Sequence, residues 1–265
     1  MFISPLVRAL PRLGRVERWR PARAGRVLSE MEALPFAGLE AIVGDGTALV
    51  LAPHPDDESL GCGGLIAEAC ARGRPPVVAV LTDGTLSHPT SRDFPPSRLK
   101  ALRETETRAA AAALGLGTDR LHFLGLPDGQ APRDGLAMRA AAERLARLAR
   151  DHAASAILAT WEHDPHPDHA AAHAIAREAA RLADARLVSY PVWGWMLPPR
   201  HRLPVGTVTG ARLDIARHLP AKRRAIAAHA SQTTGVAPGG PAGFRLPETL
   251  LALLDRPFES FLFAR

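Results

Sequence analysis

The stretch from Thr47 to Leu65, TALVLAPHPDDESLGCGGL, constrains the fold of this chain more than any other part of the sequence. An apolar run, Ala48 to Ala52, stops abruptly at a polar turn, and glycines then open a second apolar segment. This order predicts a strand, a turn and a helix. The turn, HPDDE, packs one imidazole and three carboxylates into five residues. Because adjacent carboxylates repel one another, a cation is their natural partner.

A second turn of similar chemistry follows about a hundred residues later. The motif HPDH, from His166 to His169, also comes after an apolar run, Ala156 to Ala159. Along the chain, strand-like and helix-like segments alternate about five times with short connections. This alternation predicts an α/β, Rossmann-like, doubly wound fold, with a mostly parallel sheet and helices on both faces in a single domain.

The polar turns have a common position in this predicted fold. Four of them, at 54–58, 82–84, 125–129 and 163–169, follow the ends of predicted strands. In open parallel sheets, ligands bind outside the carboxyl ends of the strands. We therefore expect one composite site at one edge of the sheet, to which both histidine-containing turns contribute.

Size and composition narrow the class of protein. The chain has 265 residues, is 46% hydrophobic and contains no apolar run of the ~18 residues that span a bilayer. The net charge is +6, but most arginines are scattered and only 5% of residues are aromatic, unlike the clustered pattern of nucleic-acid-binding proteins. Cys62 and Cys70 form no CxxC pair, which predicts free, buried thiols. We expect a soluble cytoplasmic protein that binds no nucleic acid.

The two motifs together resemble a known family. HPDDE after an apolar strand, followed by HPDH, is similar to the zinc-dependent N-acetylglucosaminyl deacetylases of the PIG-L / LmbE-like family. The resemblance covers roughly residues 46–235. It implies a hydrolase that uses a metal-activated water to remove an N-acyl group, with acetyl favoured, from an amino sugar or an N-acetylglucosamine-containing conjugate. It leaves the particular substrate open.

The resemblance also implies a metal site. A catalytic zinc is typically held by three protein ligands, nitrogens from histidine and oxygen from a carboxylate, with one position left for water. His54, Asp57 and His169 meet this requirement and match the family's ligand positions. Because two histidines and one carboxylate also bind Fe(II), the ligand set fits Zn²⁺ and allows Fe²⁺.

Three further residues match catalytic positions of the family. Asp56 matches the general base that takes a proton from the attacking water. His166 matches a residue that stabilises the oxyanion or protonates the departing amine, and Asp168 would orient His166 or tune its charge. Asp56 could supply the amine's proton as well. Glu58 is either a carboxylate favoured by the helix N-terminus or a catalytic group.

Looser matches suggest substrate contacts. Arg103 lies in an RxxE-like helix, where it would hold a hydroxyl or a phosphate, and Asp128 in a PDG turn, where it would hold a sugar hydroxyl pair. A surface salt bridge with Glu106 explains Arg103 nearly as well. Trp193 could stack on a sugar ring or simply cover the core. His229 lies in an AxxxHxSQ-like segment that resembles the family's C-terminal motif.

The remaining histidines and the only tyrosine call for separate hypotheses. His163 could line the pocket. His173 is predicted to lie on a helix surface or to contact residues that themselves form the site. Some family members place a tyrosine near the second motif to polarise the substrate carbonyl. The sole tyrosine here is Tyr190, which leaves that contribution in doubt.

Residues 1–28 differ from the rest of the chain, since they carry seven arginines and one acid, Glu17. They lack the apolar core of a secretory signal. We predict that these residues are a flexible or loosely docked segment and that a short helix follows over residues 28–39. Residues 1–40 are thus assigned to a basic N-terminal extension and residues 41–265 to the deacetylase-like domain. An amphipathic surface helix that contacts anionic lipid or a partner is the alternative for the extension.

Three other functions stay open from the sequence. The same site could deacylate a non-sugar amide. A non-haem Fe(II) oxygenase shares the ligand pattern of His54, Asp56 and a distant histidine, but the alternation of helix and strand disfavours its β-helical fold. A non-catalytic basic binding protein is disfavoured because a pure binder has no need of Asp56. The expected partner is a small-molecule substrate, and the oligomeric state is left open.

Overall fold

The computed structural model describes residues 22–234 and 243–263. The strands are, in chain order, β1 (Ala22–Arg23), β2 (Thr47–Ala52), β3 (Val77–Thr82), β4 (Leu121–Leu126), β5 (Ala154–Thr160), β6 (Arg186–Tyr190), β7 (Arg202–Leu203), β8 (Gly210–Asp214) and β9 (Phe258–Phe263). Seven of them form one sheet in the order β4-β3-β2-β5-β6-β9-β8, while β1 and β7 form a separate antiparallel pair.

The central part of this sheet is parallel. The pairs β3–β4, β2–β3, β2–β5 and β5–β6 are all parallel. At the far edge, β9 runs antiparallel to both β6 and β8. Strands β2 and β3 are apolar almost throughout because both faces of the sheet are covered. The predicted mostly parallel α/β sheet is therefore confirmed.

Helices cover both faces of the sheet. They are α1 (Ala24–Glu32), α2 (Leu39–Val43), α3 (Asp57–Ala71), α4 (Pro96–Ala113), α5 (Gly135–Asp151), α6 (Pro167–Ala183), α7 (Leu219–Ala228), α8 (Ala230–Thr233) and α9 (Glu248–Leu254). One core cluster joins α3, α4, α7 and α9 to one face, and a second joins α5 and α6 to the other.

The order of strand addition reverses between β2 and β5. Strands β3 and β4 lie on one side of β2, whereas β5 and β6 lie on the other. Residues Ala48 to Leu51 of β2 pair in parallel with Ala156 to Ala159 of β5. A crevice forms outside the carboxyl ends of two such strands. Because the HPDDE turn follows β2 and the HPDH turn follows β5, both motifs open into this crevice.

Glycines let α3 pack unusually close to its neighbours. A Cβ atom at Gly61 would overlap the ring of Tyr190, which is fully buried and donates a hydrogen bond from its hydroxyl to the Leu51 carbonyl (2.8 Å). The ring is thus part of the core beneath the first motif. Tyr190 is therefore not available to polarise a substrate carbonyl.

A buried ion pair fastens the other side of α3. The Glu259 carboxylate of β9 accepts hydrogen bonds from the backbone N–H groups of Gly64 (2.7 Å) and Leu65 (2.8 Å) and from Lys222 Nζ of α7 (2.8 Å). Both charged side chains are almost inaccessible to solvent. Each charge is therefore matched, and the pair connects α3, α7 and β9.

Residues 22–40 of the predicted extension pack against the domain. Val27 and Met31 of α1 are fully buried against Leu203 and neighbouring apolar residues. This part of the chain is therefore docked and not loose, contrary to the prediction for the extension. It docks because the apolar residues of α1 lie on one face of the helix. The helix expected over residues 28–39 is interrupted at Pro35, which cannot donate a backbone hydrogen bond. Residues 1–21, with the proposed lipid-contacting helix, lie outside the described residues.

Two further observations concern the helices and the cysteines. None of the helices among residues 22–234 and 243–263 combines the length and the apolar character that a bilayer crossing requires. Cys62 is buried, Cys70 is half-buried, and both are free thiols.

Candidate metal and catalytic site

A cavity of about 200 Å³ lies at the crevice between β2 and β5. Its acidic and histidine lining residues come from the two motifs and from the turn after β4. Most of the other lining residues are apolar. The lining residues are His54, Asp56, Asp57, Leu60, Leu86, Ser87, Arg103, Asp128, Gly129, His166, Trp193, Gln232, Phe244 and Leu246.

The first motif folds back on itself at the start of α3. The His54 backbone N–H donates to Asp57 Oδ2 (3.0 Å), and the Asp56 N–H donates to the His54 carbonyl (2.9 Å). The helix begins at Asp57, so Asp57 and Glu58 lie in its first turn, where carboxylates are favourable. This turn brings His54 Nδ1 to 3.2 Å from Asp57 Oδ2.

The second motif opens α6. His166 is the N-cap residue, and its Nδ1 accepts a hydrogen bond from the Asp168 N–H (3.2 Å). Pro167 follows at the first helical position, where its missing N–H costs nothing. His169 then lies in the first turn of α6, with Nε2 3.3 Å from Asp57 Oδ2. Two imidazole nitrogens from separate motifs therefore converge on one carboxylate oxygen.

The donors at this point fit a metal ion. His169 Nε2 is buried and has no hydrogen-bond partner among the described residues, and it faces Asp57 Oδ2 at 3.3 Å, where a bound cation would take the place of a proton. Imidazole nitrogen with carboxylate oxygen is the donor set of catalytic zinc and Fe(II) sites. Two groups of side chains are spaced to hold a cation, namely His54 with His166 and His169, and His54 with Asp128 and Asp168.

The charges in this cluster stabilise one another. Burial opposes ionisation of Asp57, but His169 and His54 beside it hold the pKa of its carboxyl well below the usual range. Burial likewise disfavours the charged form of His169, but Asp57 and Asp164 raise its pKa to about 9. The pKa of His54 is also raised, because hydrogen bonds to carboxylates outweigh its burial. The cluster therefore favours cations.

The second nitrogen of His54 faces two further carboxylates. His54 Nε2 lies 3.2 Å from Asp168 Oδ2 and 3.3 Å from Asp128 Oδ1. Asp168 also accepts hydrogen bonds from the Gly129 N–H (2.7 Å) and the Ala131 N–H (3.1 Å). The Asp168 carboxylate thus contacts His54, because the loop after β4 holds it there, and His166 is bonded instead by the Asp168 backbone N–H. The carboxylate still acts on the charge of His166, since it raises the pKa of that ring against the stronger effect of burial.

Asp164 orients His169, a role that the sequence analysis misses. Its Oδ2 lies 3.0 Å from His169 Nδ1, which leaves Nε2 to point at Asp57. The same carboxylate accepts hydrogen bonds from three consecutive backbone N–H groups of the tryptophan loop, those of residues 192, 193 and 194. Asp164 therefore fixes both a candidate ligand and the loop that carries Trp193. Its place at the carboxyl end of β5, five residues before His169, is the signal that could have identified it.

Asp56 lies in the cavity beside a buried arginine. Arg103 Nη2 contacts Asp56 Oδ2 (3.3 Å) and donates to the Pro55 carbonyl (3.0 Å), while Nη1 donates to the Gly84 carbonyl (2.9 Å). Burial raises the pKa of Asp56 despite this guanidinium, and the Asp57 carboxylate raises it further. The surface salt bridge considered for Arg103 is not formed, because Arg103 and Glu106 are both buried and have separate partners.

His166 lies at the cavity edge of the imidazole cluster. Its ring centroid is 4.6 Å from that of His54 and 5.2 Å from that of His169. Burial and the two neighbouring imidazoles lower the pKa of His166 to about 4. The neutral ring therefore faces the cavity at neutral pH.

The candidate substrate contacts fall into two groups. Asp128 and Trp193 line the cavity, and Asp128 Oδ2 accepts a hydrogen bond from the Leu86 N–H (2.9 Å). His229 is not among the lining residues, because its Nε2 is bonded to the buried Glu58 carboxylate (3.0 Å). Gln232, three residues further on, is the residue of that segment that reaches the cavity.

Two further histidines near the second motif, His163 and His173, lie outside the cavity lining. His173 is buried rather than on a helix surface, and its Nδ1 bonds to the Thr160 carbonyl (3.2 Å). His163 packs edge-on against Trp161, with 5.0 Å between the ring centroids. Neither residue is in a position to line the pocket that contains His54.

Comparison with known proteins agrees with this geometry. The sequence profile of the PIG-L family, described as GlcNAc-PI de-N-acetylase, matches residues 49–180. A 1D-myo-inositol 2-acetamido-2-deoxy-alpha-D-glucopyranoside deacetylase from Rhodococcus opacus is 31% identical, over 72% of this chain and 83% of that protein.

Solved structures share the fold at lower identity. The N,N'-diacetylchitobiose deacetylase from Pyrococcus horikoshii is 20% identical and superimposes with a TM-score of 0.57, covering 82% of each chain. GalB, the 4-carboxy-2-hydroxymuconate hydratase from Pseudomonas putida, is 24% identical with a TM-score of 0.53, covering 71% of this chain and 80% of its own. With both motifs at the crevice between β2 and β5 and a profile match that spans them, this chain belongs to the PIG-L family of de-N-acetylases.

Proposed function

We propose that this protein is a metal-dependent N-deacetylase that hydrolyses the acetamido group of an N-acetylglucosamine-containing conjugate. The observation that carries the proposal is the convergence of His54 and His169 on Asp57, with Asp56 beside them in one cavity. The name of the Rhodococcus opacus relative supports the acetamido sugar, since that protein is a deacetylase of such a glycoside.

The proposed metal ligands are His54, Asp57 and His169, and the proposed ion is Zn²⁺. Three protein ligands with mixed nitrogen and oxygen donors suit an open catalytic zinc site, although the same donors accept Fe²⁺. A divalent cation held there would supply a Lewis acid for the amide carbonyl and would lower the pKa of water. Asp164 and Asp168 would keep each imidazole turned so that the second nitrogen faces the ion.

Asp56 is the proposed general base. Its carboxylate lies in the cavity next to Asp57, and Arg103 holds it through one guanidinium nitrogen. Asp56 would accept the proton of the attacking water as the tetrahedral intermediate forms. We assign Arg103 to positioning Asp56, because both of its terminal nitrogens are already bonded to protein oxygens.

His166 is the proposed group for the oxyanion or the departing amine. A ring with a pKa of about 4 is neutral at physiological pH and can donate a hydrogen bond from its Nε2–H while Nδ1 accepts from Asp168. A neutral donor suits the oxyanion better than it suits protonation of the amine. The proton that Asp56 takes from water would then pass to the leaving nitrogen. Asp128 and Trp193 are proposed to contact the sugar.

The test is acetate release from a neutral α-glycoside of N-acetylglucosamine. The purified protein is assayed as isolated, after chelation, and after Zn²⁺ or Fe²⁺ is restored. The expected result is hydrolysis that chelation abolishes and one of the metals recovers. A protein that binds metal but releases no acetate would refute the sugar deacetylase, and non-sugar N-acetyl amides would be assayed next. Because GalB shares the fold, its hydratase substrate serves as a control for a different reaction.

A further inference from the structure

The cavity above the proposed metal ligands is lined by polar and by apolar groups. Its carboxylates and imidazoles come from the two motifs and the turn after β4, and its apolar wall is formed by Leu60, Leu86, Trp193, Phe244 and Leu246, with the polar side chains of Ser87 and Gln232 also in the lining. Trp193 and Phe244 are in contact, with 6.0 Å between their ring centroids, and form a continuous surface. Leu86 is 54% exposed and Phe244 36%, so the wall reaches the mouth.

No cationic side chain is free to bind an anion in this cavity, as far as the described residues show. Among the described residues, Arg103 is the one basic side chain, lysine or arginine, in the lining. Its terminal nitrogens are bonded to Gly84, Pro55 and Asp56, and its Nε, which has no hydrogen-bond partner, is buried away from the cavity surface. Arg245, next to Phe244, is not among the lining residues, and its guanidinium contacts the Thr233 carbonyl (3.0 Å) and Glu248 (3.8 Å). A phosphate against this wall would lose hydration without gaining a partner.

The charges of the lining lead to the same conclusion. Asp56, Asp57 and Asp128 contribute three carboxylates to the lining, and Arg103 contributes one positive charge. A divalent cation would bring the total to zero and leave no excess positive charge to attract an anion. Burying an apolar ring against the apolar wall is favourable, since it removes the exposed apolar area of Leu86 and Phe244 from water.

From these contacts we infer that the substrate is uncharged around the acylated amine and presents an apolar ring or alkyl group to the wall of Leu86, Trp193 and Phe244. This inference rests on the proposed deacetylation and narrows its substrate to neutral conjugates with an apolar substituent near the amino sugar. Phosphorylated conjugates are expected to be poorer substrates than neutral ones.

Three α-linked N-acetylglucosamine derivatives test the inference, since they share the sugar and differ only at the substituent: the methyl glycoside, the phenyl glycoside and the 1-phosphate. We expect kcat/KM for the phenyl glycoside to exceed that for the methyl glycoside by about tenfold, because the ring buries apolar area. The 1-phosphate is expected to fall below the methyl glycoside by about tenfold or more.

Two single substitutions at the wall sharpen the test. Phe244→Ala should reduce the phenyl-to-methyl ratio of kcat/KM by about threefold to tenfold. Leu86→Lys should raise the phosphate-to-methyl ratio by about tenfold, because it adds the missing cation at the mouth. The matched control is Leu136→Lys, which adds the same charge at an 82% exposed leucine on α5, outside the cavity.

The outcomes separate this inference from the proposed function. If all three compounds are hydrolysed and the phosphate is processed as well as the methyl glycoside, or the phenyl glycoside no better, the inference is overturned and the deacetylase stands. If the wild type hydrolyses none of the three compounds, their binding to the metal-loaded Asp56→Asn variant is measured by calorimetry. Tighter binding of the phenyl glycoside without any turnover by the wild type would support the neutral, apolar ligand and overturn the deacetylase.

Discussion

Two clusters of buried charge contact α3, and they differ in how completely their atoms are bonded. Glu259 accepts hydrogen bonds from Lys222 (2.8 Å) and from two backbone N–H groups of α3 (2.7 and 2.8 Å). At the site, Asp57 is equally inaccessible, yet His169 Nε2 beside it has no hydrogen-bond partner. Burial is therefore the same in both clusters, while the bonding is complete in one and incomplete in the other.

This difference distinguishes charges that hold the fold from charges that await a ligand. The Lys222–Glu259 pair is matched and joins three elements, so its removal should act on stability. The histidine and aspartate cluster concentrates carboxylates and leaves a nitrogen unbonded, so its removal should act on binding and catalysis. The following predictions test this division in order of decreasing expected effect.

The largest effect is expected for Asp56→Asn. This variant keeps the size of the side chain and removes the proposed base, so kcat should fall by about 10²–10⁴-fold. Metal content and the midpoint of thermal unfolding should stay close to those of the wild type. Steady-state kinetics and elemental analysis provide the measurements. A wild-type rate would remove Asp56 from the mechanism. It would also show that the incompletely bonded cluster is not the one that acts in catalysis.

The largest effect on stability is expected for Lys222→Met. The substitution leaves Glu259 buried with its charge unmatched, which should cost about 3–5 kcal/mol of unfolding free energy. Urea denaturation at neutral pH measures the loss, and kcat per folded molecule should change little. The double variant Lys222→Met with Glu259→Gln removes the unmatched charge and should recover part of the stability. A Lys222→Met protein as stable as the wild type would show that complete bonding does not mark a structural charge.

An intermediate effect is expected for Asp164→Asn. Asp164 is not proposed to touch the metal, but it orients His169 and binds the tryptophan loop, so metal affinity should fall by about 10–100-fold. Competition with a chromophoric chelator measures the affinity. Glu162→Gln is the matched control, since Glu162 is about half exposed and makes no contact with His169. An equal loss in both variants would mean that net charge, rather than orientation, controls metal affinity.

The smallest effect is expected at Glu68, a matched charge near the surface. Burial disfavours its ionised form, but Arg217, His218 and Arg72 lower the pKa of Glu68 to about 2. A lowered pKa contributes stability that is present above the unfolded pKa of about 4.5 and is lost as pH falls toward 2.

Denaturant unfolding of the wild type and Glu68→Gln checks this prediction. The difference in unfolding free energy should shrink progressively as pH falls from 4.5 toward 2. A difference that is independent of pH over this range would contradict the pairing.

The fold could be predicted from the sequence because its signals are local. Apolar runs such as Val77 to Leu81 and Ala156 to Ala159 fall within observed strands, and both catalytic turns follow strands that pair in parallel. The docking of α1 could not be predicted, because it depends on contacts with residues about 170 positions away, including Leu203. Spacing along one sequence does not indicate which distant surface an amphipathic helix covers.

The site was predictable to the extent that residue type limits chemistry. His54, Asp57 and His169 are found together because a parallel sheet aligns the ends of β2 and β5. The contacts of Asp168 were not predictable, since the loop after β4 decides which imidazole its carboxylate faces. Asp164 has a sequence signal in its place five residues before His169, but its three bonds to the backbone N–H groups of residues 192–194 leave no pattern in the sequence.

The pairing of β2 with β5 also bears on how this chain can change in length. The two motifs are about a hundred residues apart in sequence, yet their relative position is set by neighbouring strands of one sheet. For a flexible connection, each doubling of length costs only ~0.6 kcal/mol of closure entropy. Insertions in the surface connections between the motifs should therefore leave the ligands in register. The two halves of the site are joined through strand pairing, and the chain between them is free to lengthen.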